Sequence, residues 1–276
     1  MSNRIFYAVQ SASFLGISGG LQSISVNASV DFEQAFELGT LSICKNLEGV
    51  PNVEISTERA WQGASSSFWN TAGGDTASVS NFTGSVVMKV ADDTSSSFAT
   101  QVNFVNATSM VISSWGVTFP VDGFATETCT VVGNDINWYN GSGPTISTPG
   151  GACSTSTFKR RQDVALESRE QSVSFSCDVG REDLFQLGKK SPYARPATFP
   201  VECSSDWEYL ATATGNRGGD TYNSASDLDA TVNETKSYEG VSMTGRLAGS
   251  NYSGGDAGGG NATIVYNYIG YNALTT

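Results

Sequence analysis

Gln22–Gly39, QSISVNASVDFEQAFELG, returns in altered form as Gln171–Gly188, QSVSFSCDVGREDLFQLG. At an offset of 149, Gln22, Ser23, Ser25, Val30, Glu33, Phe36, Leu38 and Gly39 meet identical residues. In the first copy Ile24, Val26, Ala28, Val30 and Phe32 alternate with Ser25, Asn27, Ser29 and Asp31. In the second, Val173, Phe175, Cys177 and Val179 alternate with Ser174, Ser176 and Asp178. A period of two with one apolar face predicts a half-buried β-strand. Each copy then runs to Leu-Gly, where glycine can turn the chain at positive φ. Ile24, Val26, Ala28 and Val30 are therefore expected to occupy the same core-strand positions as Val173, Phe175, Cys177 and Val179.

Working outward, Val53–Thr57 alternates again, and Val201–Ser204 follows the second copy at an offset of 148. Pro51 and Pro200 precede these strands, where a missing N–H does not disturb the ladder. Asn46–Pro51 reads as a turn, and Trp61–Ser80 as a loop or short helix. Val86–Val90, Val102–Val105, Met110–Ile112, Gly116–Pro120 and Ala125–Val132 read as strands, the last two turning at Asp122-Gly123. Ser113, Gly123, Ala125 and Thr126 meet Ser250, Gly260, Ala262 and Thr263 at an offset of 137. Asn140–Gly151 consists of turn residues. The chain thus divides into a first β domain at 1–140, a linker at 141–168, and a second β domain at 169–276 that repeats the first. Units of this length can bury a core without metal or disulfide.

Composition narrows the function. Thirty glycines, with abundant Ser, Thr and Asn, favour short strands and turns. No apolar run reaches the roughly 20 residues of a spanning helix. The first twenty residues lack an apolar signal core, so synthesis in a cytoplasm and no membrane association are expected. A net charge of −12 argues against gripping nucleic acid, which needs Lys and Arg on phosphates. Eight of the fifteen basic residues fall between Lys159 and Arg195, a charge run that reads as a solvated linker. The five cysteines, Cys44, Cys129, Cys153, Cys177 and Cys203, form no C-x-x-C pair and read as free, partly buried thiols. Seven N-x-[ST] sequons follow from composition.

Histidine is absent, which removes His-based triads and zinc sites. No phosphate-binding loop is present: Gly254–Gly260 lacks the Lys-Ser/Thr that would complete one. Asp227, Asp229 and Glu234 lack the central glycine of a calcium loop. Carboxylate pairs such as Glu33/Glu37 and Glu182/Asp183 have no sugar-stacking aromatics beside them. The expectation is a non-enzymatic protein without cofactor or metal.

The run LQSISVNASVDFEQAFELGTLSICKNLEGVPNVEIST resembles the N-terminal half of tail tube proteins of tailed bacteriophages, and LAGSNYSGGDAGGGNATIVYNYIGYNAL is similar to the end of such chains. The resemblance implies two tandem β-sandwich or half-barrel domains, each with at most one short helix. It implies subunits joined edge to edge into rings that stack into a DNA-carrying tube in the virion tail. Family rings commonly hold six single-domain copies, so a duplicated chain implies three chains per ring with pseudo-sixfold symmetry. Implied partners are the chain itself, a sheath or terminator protein and the baseplate, with DNA passing through unbound. Ring closure would also satisfy open sheet edges. Acidic walls would let DNA slide, and Asp31, Glu33 and Glu37 are the channel-lining candidates, with Lys159–Arg161 facing outward or into an interface. Two alternatives remain: another virion β-protein such as a capsid decoration or baseplate component, and a glycan-binding adhesin displaying Trp61, Phe68 and Trp69.

Overall fold

A computed structural model describes residues 9–36, 43–91, 101–140, 170–189, 191–210, 233–254 and 262–276. The expected linker, 141–168, lies outside them, as do Glu37, Cys153 and Lys159–Arg161. The described residues are mainly β, 68% strand and 7% helix, arranged as one large antiparallel open sheet. Its elements are β1 (Val9–Phe14), β2 (Leu21–Phe36), β3 (Ile43–Ala60), α1 (Phe68–Thr71), α2 (Thr76–Asn81), β4 (Gly84–Ala91), β5 (Gln101–Pro120), β6 (Thr126–Gly133) and β7 (Asp135–Asn140). Then follow β8 (Glu170–Asp178), β9 (Glu202–Leu210), β10 (Glu234–Tyr238), β11 (Val241–Ser253), β12 (Thr263–Tyr271) and β13 (Leu274–Thr275).

The sheet runs β2-β3-β6-β5-β8-β9-β12-β11-β10. One four-strand order, β2-β3-β6-β5, is thus followed by its counterpart, β8-β9-β12-β11, and β5 pairs with β8 where the two runs meet. The ladders fix the correspondence residue by residue. Opposite Ala28 stands Val53, and opposite its counterpart Cys177 stands Cys203, so β3 maps onto β9 at an offset of 150. Val53 in turn faces Gly133 and Cys203 faces Gly270, which maps β6 onto β12 at 137.

Even the irregularities recur. β2 slips between Leu21 and Ser23, and β8 between Glu170 and Ser172, both 149 further on. β5 slips between Ile112 and Ser114, and β11 between Leu247 and Gly249, both 135 further on. A bulge re-aims every residue beyond it, so matched bulges keep matched faces inward.

These ladders correct three sequence expectations. Val53 corresponds to Cys203 rather than Val201; the two-residue difference leaves the same face inward. Ser113 corresponds to Ala248 rather than Ser250. Residues 46–51 are not a turn but part of β3, which stays paired to β2 through Leu47 and Glu48. Gly49 permits this close approach at the bulge between Val30 and Phe32: a Cβ there would stand 2.8 Å from the Asp31 carbonyl oxygen.

The halves differ in what covers the sheet. Ser67 caps α1 by accepting from Asn70 N at 3.0 Å, and Asp75 caps α2 by accepting from Ser78 N at 2.9 Å. The first half therefore carries two short helices and a single 3-10 turn at Ala64–Ser66, where at most one helix was expected. The counterpart segment after β9 lies outside the described residues. The β4–β5 hairpin is long and supports β1 and β7 on its strands. β10 and β11 instead close directly through Glu239 (φ 47°) and Gly240 (φ 83°), the backbone of a two-residue hairpin turn.

A buried cluster draws on both halves, including Ile55, Trp115 and Val131 from one and Phe175, Trp207, Tyr266 and Tyr268 from the other. Phe119 meets Tyr238 edge-on at 5.0 Å, and Trp207 meets the same ring at 5.8 Å. Phe119 and Trp207, both buried, contribute roughly 1.5–3 kcal/mol each, so the strands of the junction hold together by packing as well as by their ladder.

Candidate functional surface: the polar sheet face and its two edges

Because successive residues of a strand point to opposite faces, burying one set exposes the other. The inner set is Val53, Ile55, Cys129, Val131, Trp115, Val117, Phe175, Cys177, Cys203 and Trp207, all buried. The alternate set follows from the same registers. Ser25 faces Ser56, which faces Thr130, then Ser114, Asp178, Glu202 and Tyr271 across seven strands. One row along, Glu58, Thr128, Gly116, Ser176, Ser204, Ile269 and Arg246 stand side by side. The next row carries Thr126, Thr118, Ser174, Asp206 and Asn267.

This outer face is a carpet of hydroxyls and carboxylates, all at least partly exposed. Hydroxyl pairs bridge its strands, at 2.8 Å for Ser25–Ser56 and 2.7 Å for Ser176–Ser204. Asn267 Nδ2 donates to Asp206 at 2.6 Å, and Ser172 Oγ to Glu208 at 3.0 Å. Glu54, Glu58, Asp178, Glu202, Asp206 and Glu208 lie on it, with Arg246 the cation in the rows traced above. Gly116 keeps the middle flat, where an added Cβ would meet Thr128 Oγ1 at 3.3 Å.

The sequence candidates are placed unevenly. Val173, Phe175, Cys177 and Val179 are buried, whereas Ile24 and Val26 are half-buried and Ala28 and Val30 are exposed. The cause is position: β8 lies between β5 and β9, while β2 is paired only to β3 among the described residues. Asp31 and Glu33 stand exposed on the far arm of β2. The six carboxylates named above were missed. Their signal was present in VEISTER, SFSCD and VECSSDWEYL as the polar half of the alternation used to find the strands.

Two more charged groups work inside the fold. Arg59 and Glu127 are both fully buried, directly opposite each other on β3 and β6, and form a close ion pair. Glu127 also accepts from Phe68 N at 2.8 Å and from Trp115 Nε1 at 2.6 Å, while Arg59 donates to the Ser66 carbonyl at 2.5 Å. The guanidinium lies 4.5 Å from the Phe68 ring centroid. Burial pushes the Glu127 carboxyl above its ordinary value, against the opposing pull of Arg59. The pair ties α1 to the sheet. Trp61, Phe68 and Trp69, the cluster an adhesin would display, are fully buried.

The sheet ends on exposed strands. β2 and the Arg246–Ser253 stretch of β11 each lack a partner on one side among the described residues. Exposed apolar groups sit near the first edge, at Val30, Phe32 and Ile43, and near the second, at Tyr252. Also among the described residues, no group of three or more His, Cys, Asp or Glu could hold a metal, and no helix is long and apolar enough to cross a membrane. Neither a protein-family model nor a curated protein matches the chain.

Proposed function

We propose that this chain is a ring-forming structural subunit of a bacteriophage tail tube, with the polar sheet face turned to the channel. The observation that carries the reading is the β5–β8 junction. There the last strand of one repeat unit pairs with the first strand of the next, from Ser114 opposite Asp178 to Pro120 opposite Ser172. The same two kinds of edge are left over at the sheet's ends among the described residues. Transferred through the repeat, that register sets Gly249 of one chain opposite Ser29 of the next, and Ser253 opposite Ser25. A head-to-tail contact of this kind closes into a ring when its rotation divides the circle. Three chains then supply the six units that the family resemblance implies.

The acidic, hydroxyl-rich face supports the channel role. DNA in a tube touches the wall along its whole length, and basic walls would hold it through phosphate contacts. Carboxylates repel phosphate, and short hydroxyls leave a smooth wall. The protein acts by assembly and not by catalysis. Cryo-electron microscopy of the assembled protein tests this: the expected result is a ring of three chains, with Glu54, Asp178 and Glu202 facing the lumen. Six chains per ring, or a lumen lined mainly by Lys and Arg, overturns it. A closed shell in place of a tube would favour a capsid role.

A further inference from the structure

The second repeat carries a feature that the first lacks. Where the first sets Ala28 opposite Val53, the second sets Cys177 opposite Cys203. The two sulfurs lie 2.8 Å apart, and both residues are buried. Directly opposed residues of antiparallel strands have Cα atoms about 4.5–5.5 Å apart, inside the range a disulfide spans. Burial disfavours the thiolate at both sulfurs, and the hydrogen bond between them can be donated from either side.

We propose that Cys177 and Cys203 are a dithiol oxidation site that a hydroperoxide converts to a cross-strand disulfide. The thiolate of one cysteine of the pair attacks the O–O bond of hydrogen peroxide; an S–O bond forms, hydroxide leaves, and that cysteine becomes a sulfenic acid. The other cysteine then gives up its proton and attacks the oxidised sulfur. The S–S bond forms as the S–O bond breaks, and water leaves with that proton. The two thiols lose two electrons in all, and the peroxide becomes two waters. The product would staple β8 to β9 at the base of the segment between them, which carries exposed Phe185, Leu187, Tyr193 and Phe199.

The site is independent of the tail tube reading, and the test needs only the purified full chain. The chain is treated with hydrogen peroxide, unreacted thiols are alkylated after unfolding, and a non-reducing digest is mapped by mass spectrometry. The expected product is a linked pair of peptides containing Cys177 and Cys203, two hydrogens lighter than the reduced pair. Closing this loop should raise Tm by on the order of 5 °C, reversibly on reduction. Either Cys177→Ser or Cys203→Ser should abolish both the linked pair and the rise in Tm. Full alkylation of both residues after peroxide overturns the proposal, as does linkage of either to Cys44, Cys129 or Cys153. So does a linked protein that melts no higher than the reduced one.

Discussion

Arg59 faces Glu127 on the inner side of the first half; the same two places in the second half hold Tyr209 and Ile264. One ladder, with the same neighbours in register, therefore accepts a buried ion pair in one copy and an apolar pair in the other. The backbone repeat does not dictate the chemistry of its core. What differs is the cover: in the first half Glu127 also holds Phe68 N, at the start of α1, and the Trp115 indole. The charge is there to tie down a helix.

Glu127→Ile alone leaves Arg59 buried without its counter-ion and should cost about 3–5 kcal/mol, because an unpaired buried charge is far worse than none. Adding Arg59→Tyr, which copies the second half, should recover only part of this. Two donors, Phe68 N and Trp115 Nε1, still lack an acceptor, at about 1–3 kcal/mol each. Urea denaturation of the single and double variants checks both values. A double variant as unstable as the single would mean the ion pair is not what distinguishes the halves.

Beyond the shared strand the copies part company. β2 continues through Phe32, paired to Glu48, whereas the counterpart of Phe32 is Arg181, and β8 has already ended at Asp178. Phe32 is 64% exposed. Arg181 turns inward and donates to four main-chain carbonyls: Ser80 at 2.7 Å, Ile112 at 2.8 Å, and Val79 and Arg195 at 3.3 Å. Burial lowers its pKa to about 10, so it stays charged at neutral pH. It thereby ties the second half to α2 and β5 of the first. Arg181→Ala should cost about 3 kcal/mol, since the two short hydrogen bonds, to Ser80 and Ile112, are each worth about 1.5 and the two at 3.3 Å add little. Phe32→Ala should change monomer stability by less than about 0.5 kcal/mol. Thermal melts of the two variants sharpen the contrast; equal losses would show the repeat positions to be equivalent after all.

Much of this fold was legible in the alternation. Residues 22–30 and 171–179 gave two strands and their relation because period two is a local consequence of burying one face. The outer carboxylates were equally present, as the polar half of the same pattern. The exposure of Ala28 and Val30 was not legible, because it depends on which strand ends up at an edge. The repeat offset of 150 was not legible either: Val53 and Val201 match as letters, but the ladders make Cys203 the counterpart of Val53. Arg59 and Glu127 were hidden for a third reason. A charged residue at an inward position looks like a break in the pattern until its partner on another strand is known.

The smallest expected effect asks why the second copy stops being a strand. A remnant of the hairpin persists there: Leu184 N donates to Ala194 O at 3.0 Å, Tyr193 N to Leu184 O at 2.9 Å and Thr198 N to Gly180 O at 2.8 Å. Arg181 bridges to Ala197 and Leu184 to Ala194, so the antiparallel course survives without a continuous ladder. The returning arm carries Pro192, Pro196 and Pro200, each lacking the N–H that a ladder needs, whereas the returning arm of the first copy has only Pro51. If the prolines cause the interruption, Pro192→Ala with Pro196→Ala should let the remnant close up. The amide gained at position 196 lies across from Glu182, whose own N–H already donates to the Pro196 carbonyl at 3.2 Å. Stability should shift by no more than about 1 kcal/mol, because any bond gained is offset by the greater freedom of the unfolded chain. Hydrogen exchange is therefore the better measurement. Protection of the new amide at 196, together with slower exchange at Leu184 and Thr198, would assign the interruption to the prolines. An amide at 196 that exchanges freely would assign it to Arg181, whose anchoring pulls the outgoing arm out of line before the prolines are reached.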